Sequence, residues 1–164
     1  MPKVAVIMGS KNDYEVVKPA CDVLRKFGAD VTVRVISAHR TPREVADFAE
    51  NAAGNGYEVI IAAAGKAAHL AGVVASLTPL PVVGIPVKSS TLDGLDSLLS
   101  TVQMPSGVPV ACVAVNGAEN AGLLAAQILS LKYPKFLDAV SDYKRSLAEK
   151  IRADDAKLQE EIGS

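Results

Sequence analysis

Five short apolar runs alternate with segments of helical periodicity, and this alternation most constrains how the chain can fold. The apolar runs occupy residues 3–8, 30–36, 59–64, 81–86 and 108–115. The helical patterns follow at about residues 13–27, 42–53, 67–76, 95–101 and 118–131. Strands that are apolar on both faces are typical of parallel sheets covered by helices on both sides. Five such units predict an α/β three-layer sandwich with a central parallel sheet, either flavodoxin-like or Rossmann-like.

A different element follows at residues 134–164. Apolar residues recur there at helical spacing through an otherwise highly charged segment, at Val140, Leu147, Ile151, Leu158 and Ile162. This pattern predicts a C-terminal amphipathic helix. Because the apolar stripe is narrow, two interpretations stay open: the helix packs on its own domain, or it packs on a neighbouring subunit. We expect a single domain over residues 1–164 that includes this helical tail.

Two helices carry local signals. In "TPRE", Thr41 and Glu44 fit a capping box, and Pro42 suits the first position of the helix. Pro19 lies inside the first predicted helix, where the missing N–H predicts a bend.

Composition excludes several classes of protein. The net charge is −1, so no overall basic field attracts nucleic acid. The apolar runs are much shorter than the roughly 20 residues that span a bilayer, and the N-terminus lacks the layout of a signal peptide. Cys21 and Cys112 are isolated and form no zinc pattern. We therefore expect a cytoplasmic protein with reduced thiols, no membrane segment and no metal.

The loops after the first two predicted strands contain residues suited to a phosphorylated sugar. In "GSKND", Ser10 and Asn12 offer donors where a helix begins, which favours phosphate, and Asp13 suits sugar hydroxyls. The alternative for this loop is a capped turn with no ligand. In "SAHRTP", Arg40 carries a fork of donors suited to phosphate, and Ser37 adds a hydroxyl.

The two histidines of the chain lie in loops that belong to the same edge of the predicted sheet. His39 follows the second strand, and His69 lies between Gly65 and Gly72 after the third. Imidazoles transfer protons near neutral pH, whereas two histidines without acidic partners make a poor metal site. The open alternative is that His39 is a surface residue and that His69 bonds to backbone at a helix start. The residues alone thus favour proton-transfer chemistry on a phosphorylated sugar, without identifying the substrate.

Several longer segments resemble one enzyme family. These are "MGSKND", "SAHRTP", "AAHLAG", "PVKSSTLDGLDSLLSTVQMPSGVPVACVAVN" and "NAGLLAAQIL", in order between about residues 3 and 131. They resemble the catalytic subunit of phosphoribosylaminoimidazole carboxylase, PurE, in its class I form. The resemblance implies an isomerase of de novo purine synthesis that acts on 5-(carboxyamino)imidazole ribonucleotide. It also implies no cofactor, a homo-octamer, and a functional link to an ATP-dependent synthetase that makes the carbamate substrate.

The resemblance also assigns roles to residues. His39 matches the proton shuttle, and His69 matches a second active-site histidine. Ser10, Asn12, Ser37 and Arg40 would bind phosphate, and Asp13 would bind ribose. The loop around His69 adds three substrate-binding positions, namely Gly65, Lys66 and Leu70.

This chain departs from the family pattern in that loop. The usual "GAGGAAHLPG" is replaced by residues 63–72, with Ala63, Lys66 and Ala71 in place of Gly, Gly and Pro, and Asn12 stands where serine is common. Lys66 can attract a carboxylate or extend into solvent. Two alternative functions stay open: a class II carboxylase that uses carbon dioxide directly, and a nucleotide-binding module without catalysis.

Overall fold

Parallel pairing of five strands sets the architecture. The computed structural model describes residues 1–163, and over these residues the strands form one parallel sheet in the order β2-β1-β3-β4-β5. The strands are β1 (Lys3–Met8), β2 (Asp30–Val35), β3 (Tyr57–Gly65), β4 (Val82–Val87) and β5 (Ala111–Cys112). The helices are α1 (Tyr14–Lys26), α2 (Pro42–Asn51), α3 (Leu70–Leu77), α4 (Leu95–Val102), α5 (Ala118–Ser130) and α6 (Pro134–Ile162), with a 3₁₀ turn at Lys11–Asp13. The predicted α/β sandwich is confirmed, and its strand order is the flavodoxin-like one.

Successive residues of the central strands build two separate cores. Val4 and Val6 of β1 are buried with residues of α1, α5 and the start of α6. Ala5 and Ile7 point the other way and are buried with residues of α2 and α3. Because side chains alternate across a strand, a strand without polar residues buries both faces. This produces the three layers and leaves the strand ends as the place for polar loops.

The last strand is much shorter than expected. Residues 108–115 were predicted to form it, but the structure assigns only Ala111–Cys112 to β5. Pro109 has no N–H to give to a ladder, and β5 lies at the sheet edge, where pairing is easily lost. The chain still follows β4, since the Val113 N–H donates to Gly84 O and the Asn116 N–H donates to Pro86 O.

The capping box predicted for α2 is wrong, although the helix does begin at Pro42. The Thr41 side chain makes no cap and turns back toward Ser37 instead. Its Oγ1 accepts from the Ser37 N–H at 2.8 Å and lies 3.3 Å from Ser37 O, to which it donates. The hydroxyl therefore closes the loop before α2 rather than stabilising the helix itself. In α1, Pro19 lies at an exposed position, and the helix continues through it.

The C-terminal helix packs on its own domain over only part of its length. Phe136 and Val140 are buried against the core, and Tyr143 Oη donates to a Glu119 carboxylate oxygen at 2.5 Å. Farther along, the apolar stripe is exposed at Leu147, Ile151, Leu158 and Ile162. The last residue of the predicted tail, position 164, lies outside the described residues. Over residues 1–163, none of the helices is both long and apolar enough to cross a membrane.

Helices α1 and α5 approach closely at Gly122. A Cβ at this position would lie 2.9 Å from Ala20 O and 3.0 Å from Ala20 Cα. We expect Gly122→Ala to lower the free energy of unfolding by about 1–3 kcal/mol, because backbone atoms of α1 cannot move aside cheaply. Denaturant unfolding measures this.

Gly54→Ala is the matched control for Gly122→Ala. A Cβ at Gly54 meets only Asn51 O at 3.6 Å, an ordinary contact. Its stability should stay within about 1 kcal/mol of wild type or rise slightly. Equal destabilisation by both variants would contradict the close approach as the cause.

Candidate active site

Loops from four strands meet at the carboxyl edge of the sheet and enclose two adjoining cavities. The larger cavity has a volume of about 410 Å³ and is lined by Gly9, Ser10, Asn12, Asp13, Arg40, Gly65, Lys66, Val87, Lys88, Ser89 and Ser90. The smaller cavity measures about 80 Å³ and is lined by Gly9, Ser37, Ala38, His39, Arg40, Ala64, Gly65, Ala67, His69 and Leu70. Gly9, Arg40 and Gly65 line both. The structure thus brings all of the predicted site residues to one edge.

The loop after β1 forms one wall of the larger cavity. Ser10 Oγ accepts a hydrogen bond from the Asn12 N–H at 3.2 Å and so caps the 3₁₀ turn. Ser10 therefore does cap the turn, and its hydroxyl also lies at the cavity wall. Asp13 is half-buried beside it. Burial raises the pKa of the Asp13 carboxyl, while a backbone hydrogen bond from Ser10 and the charge of Arg40 oppose that rise.

Arg40 joins the first two loops. Its Nη2 donates to Gly9 O at 3.0 Å, and its backbone N–H donates to Ser37 Oγ at 3.2 Å. The guanidinium is therefore anchored to the end of β1 through one nitrogen. A guanidinium has five N–H donors, so this anchoring leaves others to face the cavities. Fixed donors at a cavity wall are suited to a phosphate or a carboxylate.

The two histidines contact each other directly. His39 Nε2 lies 2.7 Å from His69 Nδ1, and the rings are nearly perpendicular, at 88° with centroids 4.8 Å apart. A hydrogen bond between two ring nitrogens needs one of them protonated and the other bare, so the pair shares a single proton along this line. The alternative that the His69 side chain bonds to backbone is thus wrong. The arrangement can pass a proton between the rings at the mouth of the smaller cavity.

The loop that carries His69 has an unusual backbone. Lys66 adopts φ +56°, the left-handed conformation, which costs an L-residue roughly 1 kcal/mol relative to glycine. Gly65 approaches β4 so closely that a Cβ there would lie 3.2 Å from Val87 O. Leu70 is buried at the start of α3 and anchors the end of the loop.

Three cavity residues after β4 were missed by the sequence reasoning, which used their segment only for the family resemblance. They are Lys88, Ser89 and Ser90. Ser89 is buried, and its Oγ donates to a carboxylate oxygen of Asp96 at 2.9 Å. Lys88 Nζ pairs with Asp93 at 3.1 Å. The available signal was the run of two hydroxyls and an ammonium directly after an apolar strand.

The raised pKa of Asp13 predicts a pH-dependent effect on stability. Because the folded carboxyl holds its proton more tightly than the unfolded one, its stabilising contribution is complete below the unfolded value near 3.8 and is lost as pH rises through the folded pKa. We expect Asp13→Asn to be more stable than wild type near pH 7, with the difference shrinking toward pH 3. Thermal unfolding midpoints across this range measure it.

Asp138→Asn, which removes one carboxylate at an exposed position of α6, is the control for the loss of charge alone. A wild type that gains stability relative to Asp13→Asn as pH rises would contradict the assigned direction.

Comparisons with known proteins identify the family of this chain. The family model described as AIR carboxylase matches residues 3–150. The N5-carboxyaminoimidazole ribonucleotide mutase of Thermotoga maritima is 54% identical over 99% of this chain and 95% of its own, and that of Saccharolobus solfataricus is 57% identical over 90% and 93%. The crystal structure of Treponema denticola PurE superposes with a TM-score of 0.88 at 32% identity, covering 97% of this chain and 99% of that one. The chain therefore belongs to the AIR carboxylase family, as its motifs indicated.

Proposed function

We propose that this protein is an N5-carboxyaminoimidazole ribonucleotide mutase, an isomerase of purine biosynthesis. The observation that carries the proposal is the hydrogen-bonded pair of His39 and His69, which lines the smaller of two adjoining cavities. It is supported by identities above 50% to relatives named as this mutase over nearly the whole chain. The reaction moves a carboxylate from the exocyclic nitrogen of an aminoimidazole ribonucleotide to carbon 4 of its ring.

The larger cavity is suited to the ribose phosphate. Arg40, already anchored to Gly9 O, directs donors to the phosphate, and the hydroxyl of Ser10 and the amide of Asn12 add neutral donors. The hydroxyl of Ser37 adds another from the adjoining smaller cavity, next to Arg40. The Asp13 carboxylate accepts from ribose hydroxyls. These contacts lie away from the reacting atoms, so their binding energy fixes the ring relative to the histidines.

The smaller cavity is suited to the chemistry. The bond between the exocyclic nitrogen and the carboxylate carbon breaks, carbon dioxide leaves, and the nitrogen keeps the electron pair and gains a proton. Carbon 4 then attacks carbon dioxide and gives up its own proton. Atoms and charge balance without an oxidant or reductant. The small volume beside the histidines would retain carbon dioxide between the two steps.

The histidine pair would carry the proton in this cycle. His39 takes the proton from carbon 4 and returns one toward the nitrogen, which is general acid–base catalysis by a single group. His69 accepts or donates along the 2.7 Å hydrogen bond and so sets which nitrogen of His39 is protonated. Only one of the two facing nitrogens can hold the proton at a time. The proton can therefore move from either ring to the other.

We also propose that the protein assembles as the homo-octamer that the resemblance implies. Apolar side chains on and just before α4 are exposed in the single chain, at Leu92, Leu95, Leu99 and Val102, as is the far half of α6. Exposed apolar surface of this kind is typical of subunit interfaces. The carbamate substrate requires a separate ATP-dependent synthetase, with which we expect a functional link.

One assay separates the mutase from its alternatives. Purified protein is given the carbamate ribonucleotide at low bicarbonate and, separately, aminoimidazole ribonucleotide with bicarbonate. We expect conversion of the first at a rate well above the uncatalysed one and poor use of the second. Efficient use of the second alone would indicate a direct carboxylase. Conversion of neither would indicate a binding module.

His39 tests the mechanism directly. We expect His39→Asn to lower kcat by about 100-fold or more, because proton transfer loses its acid–base group, while KM changes little. Steady-state kinetics with the carbamate measures both constants. Both imidazoles are exposed, so His39→Asn and His69→Asn should unfold at the wild-type temperature. Turnover close to wild type in His39→Asn would remove this residue from the mechanism.

A further inference from the structure

Lys66 places an ammonium at the larger cavity without a counter-ion. The cavity is also lined by Arg40, Lys88 and a single carboxylate, that of Asp13. Arg40 is bonded to Gly9 O, and Lys88 is paired with Asp93. Within residues 1–163, the Lys66 ammonium has neither an ion pair nor a hydrogen bond. The ammonium is therefore available to an incoming anion.

The backbone conformation at Lys66 indicates that this lysine is more than a surface residue without a role. Its φ of +56° is a conformation that glycine adopts without strain, and glycine is usual at this position in the family pattern. A lysine therefore occupies a position where its side chain makes the free protein less stable. Strain of this kind concentrates at functional sites.

The position of Lys66 selects which anionic group it meets. Gly65, directly before it, lines both cavities, and Ala67, directly after it, lines the smaller one. His69 follows three residues from Lys66. Lys66 thus lines the larger cavity, in the loop that carries His69 and next to a residue that both cavities share. Under the proposed function, Arg40 and Ser10 bind the phosphate, so the anionic group nearest the histidines and their loop is the carboxylate on the imidazole base.

We propose that Lys66 Nζ binds the carboxylate that the reaction transfers. This inference rests on the proposed function and adds a charged contact that a glycine at this position cannot make. It gives Lys66 a role in specificity: the site should favour carboxylated nucleotides over the decarboxylated nucleotide by more than a site with glycine would. The ammonium would also hold the product carboxylate after transfer to carbon 4.

Binding measurements with two nucleotides test the role without depending on turnover. Calorimetry gives Kd for 4-carboxy-5-aminoimidazole ribonucleotide and for aminoimidazole ribonucleotide, which differ by the carboxylate. We expect Lys66→Met to weaken binding of the first by about 10-fold, because one charge-assisted contact at a partly exposed site is lost, and to change the second by less than about 2-fold. Lys66→Arg should retain the preference.

Two further variants separate the effect of the Lys66 charge from that of its left-handed backbone and from that of positive charge elsewhere on the protein. Lys66→Gly should lose the preference as Lys66→Met does, yet unfold at a higher temperature than wild type, because the left-handed strain is relieved. Lys11→Met removes an exposed ammonium that lines neither cavity and should leave both Kd values unchanged.

The outcomes are distinguishable. Equal weakening of both nucleotides by Lys66→Met would place the ammonium on the phosphate or the ring and overturn the proposal, as would no change in either. Those results leave the proposed function standing. A wild type that binds neither nucleotide would overturn the proposed function and the role of Lys66 together.

Discussion

The pairing of β1 with β2 on one side and β3 on the other is the constraint on which the rest of this structure depends. Both pairings are parallel, and Met8 at the end of β1 lies opposite Val35 of β2 and Ala63 of β3. The three strands therefore end at nearly the same level. The loops that follow them therefore lie at one edge of the sheet, and β4 adds a fourth loop beside them. Neither cavity exists without this register, because each is lined by loops that are far apart in sequence.

Apolar periodicity was enough to predict most of this framework. The bounds of β1, β2 and β4 agree with the sequence to within one residue, because each is a short apolar run ended by a polar loop. The periodicity failed at β5, where Pro109 and the edge position decide how much of an apolar run pairs. The capping rule failed at Thr41. A threonine before a helix fits a cap, but this hydroxyl bonds to the backbone of Ser37 instead. Sequence rules for helix caps do not take account of hydrogen-bond partners that the conformation of a loop brings close.

The candidate site, too, was predicted only in part from the sequence. Loop order alone predicted that Ser10, Asp13, His39 and Arg40 would share one edge, since that follows from parallel strands. It could not predict the 2.7 Å contact between His39 and His69. That contact depends on how the Ser37–Thr41 hydrogen bonds fold one loop and how buried Leu70 anchors the other. The hydroxyls after β4 were overlooked for a simpler reason: serine is common in loops, and only the shared cavity makes Ser89 and Ser90 distinctive.

Two features of this edge make the folded protein less stable, and both belong to residues that line the larger cavity. Burial disfavours the charged form of Asp13, and a left-handed backbone disfavours any side chain at Lys66. Neither group has a full partner within the described residues: Asp13 is only partly compensated by Ser10 and Arg40, and the Lys66 ammonium by nothing. A ligand that brings hydroxyls to the first and an anion to the second satisfies both at once. A carboxylated ribonucleotide has that distribution of groups, whereas a simple phosphate brings no sugar hydroxyls to Asp13. The destabilisation that Asp13 and Lys66 introduce is therefore itself an argument for the chemistry of the ligand.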